Sequence, residues 1–122
     1  MNCLYLIWSN QVIKQEFVIG RLTYDETYQF EYCYDCILAE QHGWRKLFAF
    51  QDEKVYESQT MFPVFASRLP DQHRRDIQQI LEKYGMTSYD EFDLLSKSGG
   101  KLPIDNYKFV NIEYAKRLYI NK

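Results

Sequence analysis

Residues 28–35 alternate large aromatic and polar side chains: Tyr28, Phe30, Tyr32 and Tyr34 against Gln29, Glu31, Cys33 and Asp35. A β-strand sends successive side chains to opposite faces, so this run predicts a strand with one aromatic face and one polar face. A strand needs neighbours for its backbone N–H and C=O groups, so the rest of the N-terminal half is expected to supply them. Leu4, Leu6 and Trp8 alternate with Tyr5 and Ile7, which predicts a strand covered on both faces. Ser9-Asn10-Gln11 is a turn signal. Phe17-Val18-Ile19 is a further strand, interrupted by Gly20 at a bulge or bend, and Leu22 continues it to the polar turn Asp25-Glu26-Thr27. Asp35 reads as the N-cap of a short helix over Cys36–His42, which Gly43 stops. Leu47 with Ala49, and Val55 with Tyr56, predict two more strands around the turn Gln51-Asp52-Glu53-Lys54.

From Met61 the pattern changes to helices. Met61–Leu69 predicts a short helix with Pro63 in its first turn. Pro70-Asp71 ends it and caps a second helix, about Gln72–Tyr84, with Ile77, Ile80, Leu81 and Tyr84 on one stripe and Gly85 after it. Ser88 with Glu91 matches a capping box before a third helix carrying Phe92, Leu94 and Leu95. Ser96–Lys101 reads as a loop, Tyr107–Ile112 as a strand and Glu113–Lys122 as a short tail. The expected fold is α+β in one domain over residues 1–122. Residues 1–60 are mainly β, as a small antiparallel sheet or barrel. Residues 61–98 hold a cluster of three short helices, and 99–122 a loop, a final strand and the tail.

Composition narrows the function. The chain has 122 residues and a formal net charge of −2, so it carries no general attraction to nucleic acid or to anionic membrane. No apolar run approaches the roughly 20 residues of a membrane span. The hydrophobic start is too short for a signal-peptide core and no basic residue precedes it. Three cysteines, an odd number, argue against a secreted disulfide framework and for a reducing cytoplasm. The chain is too short for a complete protein kinase or dinucleotide-binding enzyme, and it has no G-x-G-x-x-G or Walker loop.

Few residues suggest chemistry. Cys33-Tyr34-Asp35-Cys36 is a C-x-x-C without a second ligand pair for zinc and without a βαβ setting for redox work. One strand cysteine and one core cysteine explain it. His42 and His73 fall at helix ends, and the pairs Asp52-Glu53 and Asp90-Glu91 in turn and capping contexts. Ser98-Gly99-Gly100-Lys101 reads as a helix-to-strand connection. No catalytic residue, metal site or cofactor is expected. The run Met61, Phe62, Val64, Phe65, Leu69 holds more large side chains than one face of a short helix buries. Trp44, just after the helix stop, is a candidate exposed anchor.

The segment Phe62-Pro-Val-Phe65-Ala-Ser-Arg-Leu69-Pro70-Asp71, followed by Arg75, Ile77, Tyr84 and Phe92-Asp93-Leu94-Leu95-Ser96, resembles the N-terminal region of HipA-type toxin kinases. Val18-Ile19-Gly20-Arg21-Leu22 and Tyr28-Gln29-Phe30-Glu31-Tyr32 look like the V-G-x-L and Y-x-F-x-Y strands of the small β-barrel of that region. The resemblance covers about residues 4–112. In that family the ATP-binding core lies downstream, so the resemblance implies a free-standing N-terminal subdomain. A small HipS protein of split HipBST modules matches the same subdomain and acts as antitoxin towards the HipT kinase.

The resemblance implies a non-enzymatic protein that binds and restrains a HipA- or HipT-like kinase, in a complex that includes a HipB-like DNA-binding protein in such operons. Trp44, Phe62, Phe65, Arg68, Leu69, Asp71 and Arg74 are the expected contact positions. The alternative is a nucleic-acid-linked accessory module, related to segments found upstream of HIRAN domains. It needs a basic stripe, and the net charge counts against it. A third reading is a small redox or zinc protein using Cys33 and Cys36.

Overall fold

The computed structural model describes residues 2–120. Met1, Asn121 and Lys122 of the single-domain reading lie outside the described residues. Three long strands form the centre: β1 (Asn2–Asn10), β2 (Gln15–Asp25) and β3 (Thr27–Tyr32). The short strands β4 (Tyr56–Ser58) and β5 (Tyr107–Val110) complete an antiparallel sheet in the order β4-β3-β2-β1-β5. It is a five-stranded sheet with β4 and β5 at its edges, so the sheet alternative is the one realised.

The register explains the sequence pattern. Leu6 faces Gly20 and Ile7 faces Val18, so Ile19 is the extra residue of a bulge beside Gly20. A Cβ at Gly20 would lie 2.5 Å from the Phe30 ring, which is why the position takes glycine. The bulge keeps Phe17, Ile19 and Leu22 on one face with Leu4, Leu6 and Phe30. Tyr5, Ile7 and Val18 point to the other face. Both faces of β1 are therefore covered, as its unbroken apolar run implied.

The main core lies on the first face. The helices α1 (Cys36–Gln41), α2 (Pro63–Ala66) and α4 (Glu91–Ser98) contribute Ala39, Phe65, Phe92 and Leu95 to it. Pro63 opens α2, where its missing N–H costs nothing. Phe30, Phe50, Phe62, Phe65 and Phe109 form a chain of edge-to-face and tilted rings with centroids 4.6–5.3 Å apart. A satellite core of Leu81, Met86 and Leu94 sits between α4 and α3 (Ile77–Lys83).

Five expectations are corrected. Leu47 and Ala49 do not form a strand. The Tyr32 hydroxyl accepts from the Leu47 N–H (3.0 Å) and donates to the Phe50 carbonyl (2.6 Å), so a side chain supplies the partners that a neighbouring strand would have supplied. The second helix begins at Ile77, not Gln72, because Asp71 and Asp76 draw residues 71–76 into turns. Asp71 Oδ1 accepts from the His73 N–H at 2.7 Å, and Asp76 pairs with Arg74. The cap of the third helix is Asp90, which accepts from the Asp93 N–H at 2.9 Å, not a Ser88–Glu91 box. That helix also runs on to Ser98 before Gly99 closes it at φ +78°. The tail is a helix, α5 (Ile112–Ile120), capped by Asn111 Oδ1 on the Tyr114 N–H at 3.0 Å, and it lays Ala115 and Leu118 on the second face of the sheet.

Candidate functional site

The sheet and its helices place the seven expected contact residues very differently. Trp44, expected as an exposed anchor, is 1% exposed, and its Nε1–H donates to the Tyr107 hydroxyl at 2.9 Å. The chain after Gly43 turns inward because Trp44 N bonds to the Ala39 carbonyl (3.0 Å), closing α1 over the core. Phe62 and Phe65 are also buried, at the centre of the ring chain. Arg68 reaches inward too. It donates to the Gly100 carbonyl at 2.9 Å, pairs with Asp105 and covers the Tyr107 ring at 5.3 Å. These four residues build the fold.

Of the other three, Asp71 and Arg74 lie on the outside and Leu69 lies at its edge, packed against both cores. Leu69 is half-buried, and with Asp71, Tyr89 and Glu91 it lines a groove of about 510 Å³. The Tyr89 hydroxyl donates to the Pro70 carbonyl at 2.7 Å, which fixes the Leu69-Pro70-Asp71 corner. Burial first, then the charges of Glu91 and Asp71, push the Tyr89 hydroxyl above its ordinary range. Arg74 is exposed and forms a two-point pair with Asp76 at 2.9 and 3.0 Å. The basic cluster Arg68, His73, Arg74, Arg75 therefore does not act as one patch, since Arg68 is internal and Arg74 is neutralised locally.

The C-x-x-C is divided between the two faces of the sheet. Cys36 packs against the main core and donates to the Ile19 carbonyl at 3.0 Å, whereas Cys33 packs with Tyr5, Ile7 and Val18 on the second face. Burial pushes the thiols up to about 12 for Cys33 and about 11 for Cys36, away from the thiolate that redox or zinc chemistry uses. Asp35 holds the N-cap position, but its carboxylate accepts from the Val18 N–H at 3.0 Å across the chain turn instead of capping α1.

That turn sets up a surface that the sequence reading missed. Cys33 N bonds to the Ile19 carbonyl (2.9 Å) and Asp35 N to the Val18 carbonyl (3.0 Å), so both flanks of Tyr34 are tied to β2. Tyr34 between them is forced to φ +46°, a left-handed conformation that a bulky side chain adopts only under constraint. Its ring stacks on Tyr5 at 6.1 Å and is 61% exposed. On one side a groove of about 400 Å³ runs past Cys33, Cys36, Ile37 and Val55. On the other, a groove of about 310 Å³ lies between Tyr5, Tyr34, Ile112, Ala115 and Lys116. Ile37, Val55 and Ile112 are exposed, so apolar side chains flank Tyr34 on both sides, with Glu31, Glu53 and Lys54 also on the α1 side. One signal was legible: Ile37, Leu38 and Ala39 are consecutive, and a helix buries only one of three such positions fully.

The sequence pattern of the HipA N-terminal domain matches residues 10–103, well over half of the chain. The chain belongs to the HipA N-terminal domain family. No curated protein and no solved structure matched it. In this HipA N-terminal domain the matched span runs from the end of β1 to the loop before β5, and so includes α2, α3 and α4 with the Leu69-Pro70-Asp71 corner. β5 and α5 follow the span, and α5 supplies one wall of the groove at Tyr34. Among the described residues no helix of this HipA-family domain is long and apolar enough to cross a membrane.

Proposed function

We propose that this chain is a non-enzymatic interaction protein that binds a HipA- or HipT-type serine/threonine kinase and restrains it, in the manner of an antitoxin. Membership of the HipA N-terminal domain family carries the reading. The chemistry of the chain is consistent with it. Arg68 and Asp105 hold each other, Glu16 is held by Lys108 and Tyr114, and the thiols of Cys33 and Cys36 are pushed towards their neutral form. Side chains so engaged build a rigid binding body. Of the expected contact positions, Asp71 and Arg74 are the two fully on the outside and able to touch a partner directly.

The test is reconstitution. The purified chain is mixed with the HipA-type kinase encoded in the same genome, and complex formation and kinase autophosphorylation are followed together. Co-elution on gel filtration with slowed autophosphorylation is the expected result. No complex at micromolar concentrations, or a complex with unaltered phosphorylation, overturns the restraining role.

A further inference from the structure

We draw no further inference here: the strongest candidate, the groove at the Leu69-Pro70-Asp71 corner with the Asp71 and Glu91 carboxylates on its walls, carries nothing, because among the described residues no second observation beside that acidic pair at the start of α4 shows what covers it.

Discussion

The Arg68 guanidinium and the Asp105 carboxylate, 37 residues apart in sequence, meet through Nη2 and Oδ2 at 2.5 Å and through Nη1 and Oδ1 at 3.3 Å. The same guanidinium donates to the Gly100 carbonyl, and Asp105 Oδ1 accepts from the Tyr107 N–H at 3.2 Å. One fork thus ties the end of α2 to the glycine turn after α4 and to the start of β5. It fixes the strand that closes the sheet beside β1.

Removing one partner of this pair leaves the other with its hydrogen bonds unmade. The Arg68 side chain is only 8% exposed and that of Asp105 28%, so water replaces the lost bonds incompletely. Arg68→Ala is expected to cost about 2–4 kcal/mol, and Arg68→Lys about half of that, because lysine keeps the charge and loses the two-point geometry. Urea unfolding followed by circular dichroism measures it, and a loss below about 0.5 kcal/mol for Arg68→Ala would refute the structural role.

Gly20→Ala tests the bulge. The added methyl meets the Phe30 Cε1 and Cζ atoms at 2.5 Å, and Phe30 is fully buried among other rings with no room to withdraw. A destabilisation of about 1–3 kcal/mol is expected, the usual range for overpacking. Phe30→Leu in the same chain should recover part of it. Unchanged stability for Gly20→Ala alone would mean that the β2–β3 register differs from the one described.

Trp44→Phe removes the Nε1–H that the Tyr107 hydroxyl accepts and leaves a small void beside the Tyr32 ring, 5.5 Å away. The expected cost is about 1–3 kcal/mol, from one lost hydrogen bond and a modest cavity. Intrinsic fluorescence offers a direct check on the wild type. A fully buried Trp44 gives a blue-shifted component that iodide does not quench, whereas an exposed anchor would be quenched.

The raised thiols and phenols set the alkaline limit of the fold. Cys33 and Cys36 rise to about 12 and about 11 and Tyr28 to about 12, in each case through burial first. A group that holds its proton more tightly when folded stabilises the fold below its unfolded pKa. That contribution is lost as pH rises, because the unfolded chain releases the proton earlier. The contribution of these groups should therefore be constant below about pH 8 and fall between about pH 9 and pH 12. Thiol labelling at pH 8 should be slow for these two cysteines and become fast in urea. Rapid labelling of the native protein would show that both thiols are more accessible than the fold allows.

Docking of α5 depends on a polar cluster that links three elements. The Tyr114 hydroxyl donates to Glu16 Oε1 at 2.6 Å and accepts from Lys108 Nζ at 2.7 Å, and Lys108 also pairs with Glu16. Burial alone would raise the Glu16 carboxyl, but the bonds from Lys108 and Tyr114 and the Lys108 charge bring it below its ordinary value. A lowered carboxyl stabilises the fold above its unfolded pKa, and this is lost as pH falls below about 4.5. Tyr114→Phe should cost about 1 kcal/mol and raise amide exchange in α5 selectively. Uniform exchange changes across the sheet would contradict the local role.

The correspondence between sequence and structure follows the range of the forces. The glycine stops at Gly43 and Gly85 and Pro63 at the head of α2 are steric effects between near neighbours, and each appears where the sequence put it; the aromatic alternation of residues 28–35 holds as a strand only to Tyr32. The α5 helix was equally local, with Asn111 at its cap and Ala115 and Leu118 on one stripe, but the short remaining segment read as a tail.

What the sequence by itself determined was the three long strands, the helices that follow them, the α+β class and the family pattern, because backbone sterics and side-chain periodicity act within a few residues. The tertiary structure alone decided which of the apolar residues stay outside. Trp44, Phe62 and Phe65 are drawn into the core by rings and hydroxyls from distant strands, whereas Ile37, Val55 and Ile112 are left on the surface. Tyr34 is held outward at φ +46°, with the backbone N–H groups of its two neighbours bonded to β2. Burial is settled by contacts between segments far apart in the chain, and a single sequence records the residues that make those contacts without recording which of them meet.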